Sequence, residues 1–159
     1  MSYLVLSREI YRPLEEVYAY HSDLTRGPEW WPNLAAITPL DGQAAGPAVT
    51  GARYSFTYNM IGRHFSGVIT VTAAEPDARL SFEVKGRVDA SFRYEYAATA
   101  RTRTRVTVFI EYEAHGLFGK AVNQLFVEKR NAADAEHALD QLKEHLEAEA
   151  VARMDAGVV

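Results

Sequence analysis

The 159-residue chain contains no cysteine, which excludes disulfide staples and thiolate metal sites and leaves the fold to be held by its core. Long apolar runs are missing too. Nothing approaches the length needed to span a bilayer, and Arg8 and Glu9 interrupt the first apolar stretch before a secretory signal core could form. A cytoplasmic protein without integral membrane contact is therefore expected. A net charge of −4 supplies no general attraction to nucleic acid or to anionic lipid, so nucleic acid is not an expected partner. No glycine-rich phosphate loop, Ser/His/Asp order or cysteine nucleophile is present, and Gly116-x-x-Gly119 lacks the rest of any nucleotide motif. The five histidines (His21, His64, His115, His137 and His145) include no pair at helical metal spacing. No metal and no cofactor are expected, and small neutral or apolar ligands suit this composition best.

What is present is a normal globular balance, with 48% hydrophobic and 24% charged residues, which predicts one domain over 1–150 and a frayed tail over 151–159. The dominant stretch runs from Gly116 to Glu149. Phe118, Val122, Leu125, Ala132, Leu139, Leu142 and Leu146 recur there at spacings of three, four or seven, and no proline interrupts them. One helix roughly 50 Å long is predicted, at ~1.5 Å per residue. Its apolar stripe thins where Ala132, Ala133 and Ala135 replace larger residues. A partner packed against that section need not fill the space beneath it.

The remaining chain reads as a strand over 2–11, whose inward face the pattern leaves open, followed by two short helices. Pro13 suits the first turn of one helix, with Glu15 and Glu16 complementing its positive end. Asp23 or Thr25 is positioned to cap the second, which Gly27 and Pro28 should limit. A short strand over Leu34–Leu40 and a loop over 41–51 come next. From Ala52 the hydrophobic period becomes two, and strands are predicted over Ala52–Met60, Arg63–Ala74, Leu80–Lys85, Phe92–Tyr96 and Arg105–Tyr112. Their connections are too short for parallel crossovers, so they pair antiparallel. The expected class is α+β: a curved antiparallel sheet of about seven strands around a long C-terminal helix, with two short helices after the first strand.

Several short motifs carry a family resemblance over nearly the whole chain. They are Ile10-x-Arg12-Pro13-x-Glu15-x-Val17-Tyr18, then Ser22-Asp23, Trp30-Trp31-Pro32, Gly62 and Gly67, Glu75-Pro76, and Leu142-Lys143-x-x-Leu146-Glu147. In this order and spacing the chain resembles the START-like, or SRPBCC, helix-grip superfamily, near its polyketide cyclase/dehydrase and lipid-transport branch. That resemblance implies a cavity between sheet and C-terminal helix holding a lipid-like, sterol-like or polyketide-like molecule. Chemistry is performed by only some members. The cyclases are associated with an Arg from the sheet and an Asn from the helix, whereas Ala74 and Ala132 stand near those positions here, with Asn131 one step round. The primary expectation is thus binding or carriage without catalysis. The alternative is a cyclase/dehydrase-type enzyme moving protons between keto and enol forms.

The candidate ligand-binding residues are Phe56, Tyr58, Phe82, Tyr94, Tyr96 and Tyr112 from the apolar sides of strands, with Leu125 and Ala132 from the helix. Tyrosines offer an apolar plate and a polar tip, which suits a greasy ligand bearing a few oxygens. Tyr58 and His64 are the catalytic candidates under the enzyme alternative, the imidazole because it titrates nearest neutrality. A surface position on its strand is the simpler reading for His64, and a helix-end position for His21. Arg101, Arg103 and Arg105 fall on one strand face and are read as a solvated edge that discourages aggregation. Trp30 and Trp31 supply one structural plug and one candidate cap, in an order the pattern leaves open.

Overall fold

The computed structural model describes residues 2–42, 44–60, 62–86, 88–114 and 121–155; the side chains of 2, 60, 88, 114, 121–128, 130, 131 and 155 lie outside that description. Seven strands form one antiparallel sheet in the order β1-β7-β6-β5-β4-β3-β2. They are β1 (Ser2–Ile10), β2 (Leu34–Pro39), β3 (Arg53–Met60), β4 (Arg63–Glu75), β5 (Arg79–Lys85), β6 (Val88–Ala100) and β7 (Arg103–Ala114). Consecutive strands from β2 to β7 are neighbours, and β1 closes the far side against β7. Register shifts between Leu34 and Ala36, Val71 and Ala73, and Ala98 and Ala100 mark bulges that bend the sheet. The β3–β4 hairpin turns between paired Met60 and Arg63, and Gly62 takes the positive φ of 69° that such a turn favours in a glycine.

The first strand resolves its ambiguous pattern. Tyr3 and Val5 face solvent, while Leu4 and Leu6 pack on the core and Ile10 is fully buried. Helix α1 (Leu14–His21) follows Pro13, and Asp23 begins the next segment by accepting from the Thr25 backbone N–H at 3.2 Å. A single 3-10 turn, Leu24–Arg26, then runs directly into helix α2 (Gly27–Trp30). Gly27 and Pro28 therefore open this helix rather than limiting it. Proline is tolerated in a first turn because that N–H has no intrahelical partner.

Helix α3 (Ala121–Asp155) is the long C-terminal element. Gly116 to Lys120, where the helix was expected to start, lie outside the described residues. At the other end the helix continues five residues past Ala150, so Val151–Asp155 are helical instead of frayed, and 156–159 lie outside the description. Among the described residues its buried apolar stripe is Ala135, Ala138, Leu139, Leu142 and Leu146. Polar contacts fasten the same half of the helix to the start of the chain. Lys143 Nζ donates to the Glu9 carbonyl at 2.7 Å, and the Tyr11 N–H donates to Glu147 at 2.9 Å. Arg8 pairs with Asp140 at 2.7 Å. Arg12, 5% exposed, donates to the Leu146 carbonyl at 2.5 Å and to Glu16 at 3.1 Å, so its buried charge is both paired and hydrogen-bonded.

The arginines do not form the sheet edge expected from the sequence, because β7 runs between β1 and β6 and the edge strands are β1 and β2. Arg105 reaches Glu9 at 3.5 Å, and the Arg103 guanidinium lies 4.9 Å from the Tyr11 ring centre.

Candidate functional site

A cavity of about 150 Å³ opens between the concave face of the sheet and helices α2 and α3. Its walls are aromatic and aliphatic. Phe56 from β3, Phe65 and Ile69 from β4, Phe82 from β5, Phe92 from β6, and Ile110 with Tyr112 from β7 supply the sheet side. Strand alternation turns these residues to one face, and the bulges curve that face around them. Trp30 and Trp31 close the α2 end, with ring centres 5.5 Å apart, and Trp31 meets Phe92 edge-on at 5.5 Å. Trp30, 3% exposed, is the structural plug, whereas Trp31 is only half-buried. Both border the cavity.

The space persists because of two local features. On the helix side Ala135 offers one methyl group where a leucine would reach across, as expected of a stripe thinned by alanines. On the sheet side Gly67 lets β4 lie against its neighbours: a Cβ there would strike the Lys85 carbonyl oxygen and would meet the Phe56 ring at 2.7 Å. Glycine is the residue that leaves Phe56 in place.

One polar pair stands in this apolar wall. Asp134 projects from α3 and is 8% exposed, and the Tyr58 hydroxyl donates to its Oδ2 at 2.5 Å. Asn33 Nδ2 lies 3.5 Å from the same oxygen. Asp134 was not among the residues predicted from the sequence, where a carboxylate among alanines reads as part of the solvated face. A signal was available in the spacing: 134, 138, 142 and 146 recur every four residues, and the last three are the buried Ala138, Leu142 and Leu146.

Of the predicted site residues, Phe56, Tyr58, Phe82 and Tyr112 border the cavity. Tyr94 and Tyr96 do not. They belong to the closed end of the core, 1% and 6% exposed, packed against His21. Inward alternation applies equally to both groups. What separates them is that α1 covers the β6 section carrying Tyr94 and Tyr96 and fills it with Tyr18 and His21. Ala132 is half-buried on α3 and lies off the cavity wall, which Ala135 occupies instead; the Leu125 side chain lies outside the described residues. His64 is exposed on β4, opposite Asn59, and does not border the cavity.

His21 ends α1, as expected, but it is not peripheral. It is fully buried, its Nδ1 lies 2.5 Å from the Tyr96 hydroxyl, and its ring contacts Tyr94 at 4.3 Å and Trp30 at 4.7 Å. Removal from water disfavours the imidazolium and pushes its pKa from 6.5 down to about 3. The same burial raises the Tyr94 and Tyr96 hydroxyls well above the usual phenol range. Among the described residues no cluster of His, Asp and Glu is arranged to hold a metal ion, and no helix is long and apolar enough to cross a membrane.

A curved seven-stranded sheet gripping a long helix around an apolar cavity defines a START-like fold. The chain belongs to the family described as polyketide cyclase / dehydrase and lipid transport, which it matches over residues 3–147. Solved structures agree on the fold. TTHA0849 from Thermus thermophilus is 18% identical with a TM-score of 0.78, over 93% of this chain and 99% of that one. A START superfamily protein from Mycobacterium smegmatis is 15% identical with a TM-score of 0.75, over 92% and 97% of the two chains. The ZhuI aromatase/cyclase from Streptomyces sp. R1128 is 10% identical with a TM-score of 0.78, over 92% and 93%. No curated protein matches the chain. The family is one of hydrophobic-ligand binding or of cyclase/dehydrase-type activity.

Proposed function

We propose that this protein binds or carries a hydrophobic small molecule, of lipid-like, sterol-like or polyketide-like character, in the cavity between its sheet and α3. The observation that carries this reading is the cavity itself, about 150 Å³ of space in the middle of the fold walled by Phe56, Phe65, Phe82, Phe92 and Trp31. A packed interior ordinarily leaves few voids larger than a water molecule, and ligand sites are apolar with a small number of placed polar groups. Tyr58 and Asp134 are such groups. Trp31 borders the space and is half-buried, so its fluorescence reports on occupancy.

Titration with an apolar fluorescent probe tests the proposal. Saturable uptake, with a matching change in tryptophan emission and displacement by unlabelled hydrophobic compounds, is the expected result. A folded protein that takes up no probe refutes it. Native mass spectrometry of the purified protein would identify a ligand retained from the cell.

The second reading, a cyclase/dehydrase-type enzyme, draws on the Tyr58–Asp134 pair, since a carboxylate and a phenol 2.5 Å apart on a cavity wall can pass a proton. Tyr58→Phe separates the two. A carrier should lose affinity by about 0.5–1.5 kcal/mol, the net value of one hydrogen bond. An enzyme should lose roughly 100-fold or more in turnover with affinity nearly unchanged.

A further inference from the structure

The two edges of the sheet are built differently. β2 is short, carries a register shift between Leu34 and Ala36 and ends on Pro39, and each of these hinders the addition of another strand. β1 pairs with β7 in unbroken register from Ser2 to Ile10 and contains no proline. Which of its backbone groups face outward follows from the ladder. The Tyr96 N–H donates to the Ala78 carbonyl just before β5, so Tyr96 and its alternates in β6 turn their backbone groups towards β5. The pairs Tyr96–Val106 and Arg8–Val106 carry this alternation across β7, which leaves Tyr3, Val5, Ser7 and Glu9 with N–H and C=O groups on the free side of β1. Side chains cap the later part of that row. Arg8 donates to the Ser7 carbonyl at 2.9 Å, Lys143 to the Glu9 carbonyl at 2.7 Å, and the Tyr11 N–H beyond them is held by Glu147. Among the described residues no side chain caps Tyr3 or Val5, which are 60% and 47% exposed.

We propose that this uncapped stretch is an interface with a second copy of the chain, the two β1 strands pairing antiparallel about a two-fold axis at Leu4 and joining the sheets edge to edge. About that axis Tyr3 of each copy stands opposite Val5 of the other. These are the residues whose edge groups are uncapped, so each opposed pair exchanges two N–H···O=C bonds. Their side chains meet as aromatic and β-branched cross-strand neighbours, a combination that stabilises a sheet. Charge is compatible as well: residues 3–6 carry none, and Arg8 and Glu9 fall beyond the paired residues, already engaged with Asp140 and Arg105. The uncapped section is thus self-complementary, and it stops where the side-chain caps begin. Leu4 also borders the cavity, so the axis sets the two ligand spaces on either side of one seam. That seam is small, below the ~1,200 Å² of stable complexes, which makes the dimer weak and concentration-dependent.

Sedimentation velocity on the full chain, from about 10 µM to about 500 µM, should show the mass rising from monomer towards dimer. Val5→Pro removes an N–H that the β1–β7 ladder does not use, so this variant should fold and stay monomeric over the same range. Because the chain has no cysteine, a single introduced one reports the register. Leu4 meets its own counterpart at a non-hydrogen-bonded pair, where Cα atoms lie ~4.5 Å apart, within disulfide reach. Leu4→Cys should therefore form a covalent dimer under mild oxidation about tenfold or more faster than Val5→Cys, whose counterpart is displaced along the strand. This order should hold even though Val5 is the more exposed of the two. A native chain that stays monomeric throughout overturns the proposal, as does a dimer that Val5→Pro leaves intact, or Leu4→Cys crosslinking no faster than Val5→Cys. Should Val5→Pro fail to fold by circular dichroism, the two cysteine variants decide. An edge that takes up extended peptides but never its own copy also overturns it.

Discussion

The buried imidazole of His21 should make this protein lose stability in mild acid. Its ring lies between Tyr94 and Trp30, and Nδ1 is engaged by the Tyr96 hydroxyl. The folded chain thus holds it neutral down to about pH 3, while in the unfolded chain the same group takes a proton below its ordinary 6.5. Within that window the unfolded state binds the extra proton, so stability rises with pH and falls as acid is added. The full contribution is present above pH 6.5 and is progressively lost towards pH 3. At about 1.4 kcal/mol per pH unit, moving from about pH 7.5 to about pH 5 should remove about 2 kcal/mol through this one group. Tyr94 and Tyr96, which face it, stay neutral throughout because burial raises them. Urea unfolding at the two pH values, for the native chain and for His21→Gln, isolates the effect from carboxylates that titrate in both. The native protein should lose about 2 kcal/mol more than the variant on acidification. Parallel losses would refute the argument, because they would mean that His21 charges as readily folded as unfolded.

Packing predictions follow from the same core. Leu142→Ala, at a position with no exposure, should cost about 2–5 kcal/mol in urea unfolding, and a loss below ~1 kcal/mol would mean that α3 is peripheral. Gly67→Ala should cost about 1–3 kcal/mol and weaken probe uptake, because its methyl group would strike the Lys85 carbonyl and the Phe56 ring; an unchanged urea midpoint would contradict that close approach. At the alkaline end, the raised Tyr94 and Tyr96 hydroxyls should keep the folded protein from ionising them at the usual phenol pH, so stability should fall as the unfolded chain begins to ionise near pH 10. Absorbance titration of phenolate in the native protein should show these two groups delayed until unfolding.

The elements were legible in the amino-acid order because they answer to local periodicity. Period-two alternation marks the inward faces of β3, β5, β6 and β7, and the spacing of Leu139, Leu142 and Leu146 marks the buried side of α3. The thinning of that stripe at alanines anticipated where the helix leaves space, and Ala135 is the residue that borders it. Helix ends were less legible. Gly27 and Pro28, which usually punctuate a chain, initiate α2 because a first turn needs neither an N–H from the proline nor a Cβ from the glycine.

Alternation reports only that a side chain points inward, and what it meets there depends on elements far away in the chain. Tyr58 and Tyr112 border the cavity while Tyr94 and Tyr96 are sealed beneath α1, though all four obey one strand pattern. The order of strands and the placement of α1 over β6 decided between them. The same holds for charge. Asp134 lies 76 residues from Tyr58 in sequence, and only the tertiary approach of α3 to Tyr58 turns a carboxylate that looks solvated into a polar group of an apolar wall. His21 ends a short helix by sequence and becomes fully buried because the aromatic residues of β6 and α2 close around it. Where alternation is clean, local order settles which way a residue faces, and tertiary packing settles the rest, including whether a ligand-sized space, a core or solvent lies on that side.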